Sequence, residues 1–254
     1  FMNFPGVFLG SDNLIPPFAV SKTEVSNQQF KEFIEDGGYE NSEFWDFPIN
    51  INGKEYSFEN SMKLFTDKFG KPGPAYWAYG EFIEGEENFP VKGVSWFEAR
   101  AYAKYRGLSL PNIFQWLDAA QLSGFTRKIP DIKGSNYNSN KPREVKFNVN
   151  NKILPNIAGN VREWVSNSHG NDRRAILGGS YRNNEYTFNS FYSLSPFDRS
   201  NENGLRLVKN FSSEITTNDE FVVKHIKRNF SLEKNVSDEV FEVYKSQFEY
   251  PNTE

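Results

Sequence analysis

The residues best suited to chemistry lie in one short segment, Leu-Pro-Asn-Ile-Ala-Gly-Asn-Val-Arg-Glu-Trp, at positions 154–164. Asn156 and Glu163 place side-chain oxygens on either side of a Gly-Asn pair that is typical of a turn. Oxygen donors of this kind suit a hard cation such as calcium. The alternative is that these side chains hydrogen-bond the backbone of the loop. Because apolar residues alternate with these donors, the segment is predicted to be a polar loop anchored in the core.

Composition excludes several kinds of site. The 254 residues contain no cysteine, which rules out thiolate metal ligands, disulfides and cysteine nucleophiles. The only two histidines, His169 and His225, cannot form a three-histidine metal centre. With a net charge of −4 and scattered basic residues, the chain lacks the basic field that attracts nucleic acid. No apolar run has the length of a membrane span. We expect no nucleic-acid partner and no membrane segment in these residues.

Three helices with clear start signals are predicted to position this loop. Ser26 with Gln29, and Ser95 with Glu98, have the spacing of capping boxes. The helices that they start are predicted to end at residues 37–38 and 107, where glycines stand. A third helix is predicted to start at Asn112 and to end near residue 124.

The remaining predicted elements are shorter. We predict strands at residues 1–10, 174–177, 188–193 and 205–208, and a short helix near residues 60–69. Residues 131–151 are predicted to form an extended loop with short strands. After residue 209, we predict a strand at residues 221–226 and a helix that follows Ser237.

The order of the motifs resembles a known family. Gly178-Gly179-Ser180-Tyr181 follows the polar loop, and Gly-Leu-Arg-Leu-Val at residues 204–208 closes the pattern. Together with the helix pair that Ser95 opens, these motifs resemble the formylglycine-generating enzyme, or sulfatase-modifying factor, family. The resemblance covers about residues 1–209. It implies an α+β domain with a C-type-lectin-like fold, containing two packed helices, small antiparallel sheets and much irregular structure. Residues 210–254 are expected to be a C-terminal extension or a connector to a further domain.

The resemblance also implies which chemistry is missing. In the formylglycine-generating enzymes, two cysteines just after the Gly-Gly-Ser-Tyr turn bind copper, and their positions fall at about Asn183 and Phe188 here. Neither residue supplies the soft ligand that copper(I) requires. In the iron-dependent branch, the metal ligands come from a histidine motif in an additional helical domain. We therefore expect neither copper nor iron, and no formylglycine-generating activity.

Family members hold a structural calcium ion in the polar loop. The ligands of that ion map onto the side chains of Asn156 and Glu163 and the backbone carbonyls of Gly159 and Val161. Oxygen donors in a tight loop agree with the preferences of calcium. Calcium in turn favours an extracytoplasmic setting, where such sites are readily filled.

A groove beside the Gly-Gly-Ser-Tyr turn is the predicted place for a ligand. Its candidate residues combine aromatic faces with hydrogen-bonding groups: Tyr181, Arg182, Asn183, Asn184, Tyr192, Asp198 and Arg199. In the alternative interpretation the tyrosines belong to the core, Asp198 pairs with Arg199, and the asparagines only turn the chain.

The favoured function is a non-catalytic ligand-binding or sensory module that recognises a peptide, a glycan or a small molecule. Residues 70–77, 89–96 and 195–204 resemble copies of the domain in large bacterial proteins, where it is joined to a serine/threonine kinase or an α/β-hydrolase. Such a fused or neighbouring domain is the expected partner. One alternative is an oxidoreductase of the same family that uses a different, cofactor-free or partner-supplied site. Another is a variable lectin-like display domain.

Overall fold

The computed structural model describes residues 1–4, 7–8, 14–122, 135–146, 154–170, 172–212, 222, 231 and 236–246. The chain divides into two units, Phe1–Lys224 and His225–Glu254. The first contains all the motifs discussed above. The second contains one described helix, Asp238–Ser246. No helix in the described ranges has both the length and the apolar character needed to cross a membrane.

Four α-helices of the first unit begin where the sequence signals them or close by. In the helices that follow Ser26 and Ser95, both hydrogen bonds of the predicted capping boxes form. The helix that follows begins with the same reciprocal pair, because the Asn112 side chain accepts from the Gln115 N–H and the Gln115 side chain accepts from the Asn112 N–H. Their bounds are α1 Asn27–Glu35, α2 Phe58–Met62, α3 Trp96–Tyr105 and α4 Ile113–Leu122. The helix of the second unit is α5.

The strands form two small sheets and two short hairpins. In chain order they are β1 Met2–Phe4, β2 Val7–Phe8, β3 Leu14–Ile15, β4 Phe18–Val20, β5 Asn50–Ile51, β6 Lys54–Glu55, β7 Arg162–Ser168, β8 Arg174–Leu177, β9 Tyr192–Leu194, β10 Asn203–Gly204 and β11 Val208–Asn210. One sheet has the order β1-β4-β11, and the other has the order β10-β7-β8-β9. Only the β10-β7 pair is parallel in these two sheets. The hairpins pair β2 with β3 and β5 with β6.

The four-stranded sheet separates two aromatic cores. Because alternate side chains of a strand point to opposite faces, Trp164 of β7 enters one core and its neighbour Val165 enters the other. The first core contains the inner faces of α1 and α3, and the second contains that of α4. Residues 154–161 of the polar loop lead directly into β7, and this continuity fixes the orientation of the loop.

Several predicted elements differ from the structure. The short helix predicted near residues 60–69 is α2, which starts earlier because Ser57 caps it. The strand predicted at residues 188–193 is a 3₁₀ helix, Glu185–Asn189, followed by β9. The strand predicted at residues 205–208 is replaced by β10 and β11 on either side of Leu205–Leu207, whose side chains are buried. In both segments, apolar side chains are buried although their backbone lacks the regular pairing of a β-strand.

Other predictions are confirmed or fall outside the described ranges. The strand at residues 174–177 is β8, and α5 begins after Ser237, whose hydroxyl accepts from the Val240 N–H at 3.5 Å. In the predicted extended loop, residues 135–146 form only a single bridge, between Asn136 and Gly159. The strand predicted at residues 221–226, and the end of α4 near residue 124, lie outside the described residues.

Candidate functional site

The polar loop has a tightly wound backbone. Asn156, Gly159 and Asn160 all have left-handed φ angles, of 60°, 82° and 62°. A Cβ on Gly159 would stand 2.5 Å from the backbone oxygen of Asn136, so glycine is required there for space as well as for conformation. The loop therefore packs against a neighbouring backbone with no room for a side chain.

Two backbone hydrogen bonds join this loop to the Gly-Gly-Ser-Tyr turn. Gly159 donates to the Gly178 carbonyl at 2.9 Å, and Tyr181 donates to the Asn160 carbonyl at 2.8 Å. The two motifs that stand apart in the sequence thus form one structural unit.

Glu163 is completely buried beside this unit. Its carboxylate accepts from Arg206 Nε at 3.0 and 3.1 Å and from Trp116 Nε1 at 2.7 Å. Arg206, also fully buried, donates to the carbonyls of Ser21 and Pro155 as well. The Arg206 guanidinium thus ties the start of β7, the polar loop and the chain after β4 together.

A second buried carboxylate, that of Glu24, lies against the same arginine. Glu24 accepts from Asn160 Nδ2 at 2.8 Å and from Asn156 Nδ2 at 3.3 Å, and lies 3.9 Å from Arg206 Nη2. Burial raises the pKa of Glu24 to about 7, although the guanidinium opposes this shift. With both carboxylates ionised, two negative charges face one positive charge.

The donor chemistry of the loop fits calcium. Its side-chain donors are oxygens, and when Glu24 is ionised the cluster carries a net negative charge that a cation would balance. The sequence has no thiolate for copper(I), and its two histidines cannot form a three-histidine iron site. In the described ranges, no group of three or more histidine, aspartate or glutamate side chains could hold a metal ion.

The two positions that correspond to copper-binding cysteines have structural roles. The Asn183 side-chain oxygen accepts from the Ser180 N–H at 2.9 Å and from its hydroxyl at 3.0 Å, which closes the turn. Phe188 is 8% exposed and packs in the second core, with its ring centre 5.9 Å from that of Trp116. Neither position offers a reactive group.

The predicted groove residues divide into exposed and buried groups. Arg182 and Asn184 are exposed, whereas Asn183, Tyr192, Asp198 and Arg199 are half-buried. Tyr181 is 1% exposed and belongs to the interior, with Asn201 Nδ2 at 3.5 Å from its hydroxyl. The structure therefore brings Arg182 and Asn184 to the surface as the groove residues that face solvent.

Arg199 has a partner that sequence analysis missed. Its guanidinium contacts both oxygens of the buried Glu98 at 2.9 Å, and it also donates to the carbonyls of Thr66 and Gly73. The suggested Asp198–Arg199 pair is absent from these contacts, because Asp198 instead accepts from Ser200 and Asn203. Arg199 thus fastens the irregular residues 64–73 to α3.

Lys92 and Tyr76 join Arg182 at the same surface, and sequence analysis missed both. Burial lowers the pKa of the half-buried Lys92; attraction to Glu86 opposes this shift, and repulsion by Arg182 adds to it. Tyr76 is 41% exposed and lies against Gly93, where an added Cβ would approach its ring to 2.6 Å. Because these residues come from three distant segments, no local pattern in the sequence could connect them.

The protein is an α+β domain in which helices pack on two small sheets. The bonding of the polar loop to the Gly-Gly-Ser-Tyr turn completes a domain of the formylglycine-generating enzyme type. The chain belongs to the sulfatase-modifying factor family, because residues 11–211 match the model described as "Sulfatase-modifying factor enzyme 1-like domain". This match confirms the family that the motifs indicated.

The similar proteins include a named oxygenase, a named inactive enzyme and a protein kinase. The chain is 29% identical over 119 residues to a hercynine oxygenase of Mycolicibacterium smegmatis, covering 46% of this chain and 26% of that protein. It is 27% identical over 200 residues to the inactive C-alpha-formylglycine-generating enzyme 2 of Mus musculus, covering 66% and 64%. It is 26% identical over 155 residues to the serine/threonine-protein kinase pkn1 of Chlamydia caviae, covering 58% and 22%. The chain thus spans about a quarter of the hercynine oxygenase and of the kinase. Among solved structures, that of CarF overlays with a TM-score of 0.49 at 17% identity, covering 83% of this chain and 98% of that one.

Proposed function

We propose that this domain is a non-catalytic ligand-binding module of the sulfatase-modifying factor family. The observation that carries the proposal is the replacement of the copper-binding pair by Asn183, which closes a turn, and Phe188, which fills a core. The inactive mouse relative supports it, since that protein is named as a member without the activity.

The proposed binding surface is the cationic side of the Gly-Gly-Ser-Tyr turn. Neither Lys92 nor Arg182 forms a salt bridge within the described part of the chain, although Glu86 attracts Lys92 and Arg182 repels it. The Arg182 guanidinium carbon lies 5.5 Å from the centre of the Tyr181 ring. Tyr76 adds an exposed ring beside them, and Asn184 adds an exposed amide. Two cations that form no salt bridge in the described part of the chain, next to an exposed ring, suit a ligand with a carboxylate or phosphate group. An acidic peptide or a small organic anion has this chemistry.

Binding at this surface is tested by titrating the isotope-labelled chain with citrate and with inorganic phosphate, monitored by NMR. We expect shifts centred on residues 76, 92 and 182–184, and a loss of affinity of about tenfold in Arg182→Gln. Lys68→Gln removes an exposed lysine elsewhere and serves as the control. Shifts centred elsewhere, or equal affinity of the two variants, would contradict the proposed surface.

A structural calcium ion in the polar loop is part of this proposal. The Asn156 and Glu163 side chains and the Gly159 and Val161 carbonyls would hold it. The ion would supply no reaction step. It would neutralise the carboxylate excess next to Arg206 and stiffen the loop that supports the turn. Such a site favours an extracytoplasmic setting.

The module is further proposed to act with a fused or neighbouring kinase or hydrolase domain. A kinase relative that matches 58% of this chain supports this arrangement. Occupancy of the groove would then be relayed to the adjoining domain.

The second candidate function is an oxidoreductase with a different or partner-supplied site, and the hercynine oxygenase relatives favour it. Oxygen uptake separates the two candidates. It is measured with a cysteine-containing peptide, and with hercynine plus cysteine, each with added copper(I) or iron(II). We expect no uptake above the protein-free rate. Substrate-dependent uptake would establish the second candidate.

A further inference from the structure

A cavity of about 280 Å³ opens among residues 42–61, apart from the Gly-Gly-Ser-Tyr turn. Four aromatic residues and two acidic residues give its lining a distinctive chemistry: Trp45, Phe47, Tyr56, Phe58, Asp46 and Glu55. None of them belongs to the polar loop or to the groove. The cavity therefore requires an explanation of its own.

The inner wall of the cavity is held in place by contacts behind it. Trp45 donates its indole N–H to the Gly38 carbonyl at 2.9 Å and stacks on Phe65 at 5.1 Å between ring centres. Phe47 meets Trp96 edge to face at 5.0 Å. Because these rings are already fixed, a ligand would find the wall formed in advance.

The outer wall is open to solvent. Tyr56 is 36% exposed, and its N–H donates to the Ile49 carbonyl at 2.9 Å, which closes the hairpin of β5 and β6. Glu55 lies at the end of β6 and is exposed. A ligand can reach the rings past these two residues.

The two charged side chains that line the cavity, Asp46 and Glu55, are both acidic. Asp46 is already balanced from α3, by Arg100 Nε at 2.8 Å and Lys104 Nζ at 3.1 Å. Glu55, in contrast, forms no ion pair with any residue that the structure describes. One carboxylate at the rim is thus available to a cation from outside.

We infer that this cavity binds a ligand carrying an alkylammonium or quaternary ammonium group. Aromatic faces attract such cations through the negative charge of their π-systems, and a nearby carboxylate adds to this attraction. Phe47 already makes this type of contact within the chain, since the guanidinium carbon of Arg174 lies 4.6 Å from its ring centre. The site goes beyond the proposed function, because its ligand has the opposite charge and its residues are different.

The charge requirement is tested with two probes of the same shape. Choline carries a trimethylammonium group, and 3,3-dimethylbutan-1-ol replaces the nitrogen with carbon. Each is titrated against the full chain, and binding is monitored by NMR shifts of the Trp45 indole N–H and of residues 55–58. We expect saturable choline binding at millimolar concentrations, and at least tenfold weaker binding of the alcohol. Equal binding of both probes, or no saturable choline shift, would overturn the inference.

Two variants test whether the Glu55 carboxylate and the Tyr56 ring contribute to choline binding. Glu55→Gln should weaken choline binding about threefold to tenfold, and Tyr56→Leu should weaken it to a similar extent. Glu59→Gln changes an exposed carboxylate of α2 that does not line the cavity, and it should leave choline affinity unchanged. If Glu59→Gln weakens choline binding as much as Glu55→Gln does, the attraction is a general effect of surface charge, and the inferred binding site is wrong.

Discussion

Two arginines, the half-buried Arg199 and the buried Arg206, hold distant segments of this protein together. Arg199 neutralises Glu98, and Arg206 neutralises Glu163 while it also faces Glu24. Each guanidinium also donates to backbone carbonyls of irregular chain. At the scale of single residues, order in the loops therefore depends on charges that must stay paired.

The Glu98–Arg199 pair gives a direct test of this dependence. Arg199→Met leaves the Glu98 carboxylate buried without its partner, and we expect a loss of about 3 kcal/mol in the free energy of unfolding. Arg182→Met removes an exposed arginine and should change stability by about 0.5 kcal/mol or less. Urea denaturation of both variants measures the difference. A loss below about 1 kcal/mol in Arg199→Met would contradict the account.

Glu24 predicts a specific pH dependence of stability. Its pKa is raised from 4.5 to about 7 in the folded protein, so the folded state binds the proton more tightly than the unfolded state does. This contribution is fully present below pH 4.5 and is lost as the pH rises towards 7. Glu24→Gln cannot titrate at this position. With a chelator present, so that no cation shifts this pKa, the stability of the native protein relative to this variant should therefore fall by about 2 to 3 kcal/mol between pH 4.5 and 8.

The control for this prediction is Glu40→Gln, which changes an exposed carboxylate. Its stability should follow that of the native protein over the whole pH range. Parallel curves for the native protein and Glu24→Gln would show that Glu24 does not titrate in this interval.

At the scale of elements, local signals were sufficient for the helices but not for the site. Ser26 and Ser95 start their helices through contacts with residues three positions away, so the sequence displays the complete interaction. The partners of Arg199 and Arg206 lie 101 and 43 residues away, and no pattern in the sequence points to them. Lys92 and Tyr76 are likewise brought to the surface near Arg182 only by folding, because they lie far from it in the sequence.

The polar loop and the Gly-Gly-Ser-Tyr turn act as one element, and Gly159 tests this. Gly159→Ala places a Cβ 2.5 Å from the Asn136 carbonyl oxygen at a φ of 82°. Gly53→Ala has a similar φ of 77° but meets no atom within 4 Å. We expect Gly53→Ala to lose about 1 kcal/mol, and Gly159→Ala to lose at least about 3 kcal/mol. Thermal unfolding distinguishes them, and equal losses would show that the close approach has no energetic weight.

At the scale of the whole molecule, the order of the motifs was sufficient to recognise the family. It was not sufficient to predict how the aromatic residues divide between two cores. The motifs identified the α+β domain because each is local and their order is fixed. The division of the aromatic residues into two cores depends on the four-stranded sheet, whose strand β7 was not predicted. Sequence analysis places residues 162–164 in the polar loop and predicts no element for residues 165–168. Polar residues interrupt the apolar pattern of this strand, and two of them, Glu163 and Asn167, are buried through tertiary hydrogen bonds.

The measurement that tests the central claim most directly is the metal content of the purified protein by mass spectrometry, combined with thermal unfolding with and without a chelator. The account predicts about one calcium ion per chain, a lower unfolding temperature with chelator, and no stoichiometric copper or iron. Stoichiometric copper or iron would contradict the claim that the module is non-catalytic.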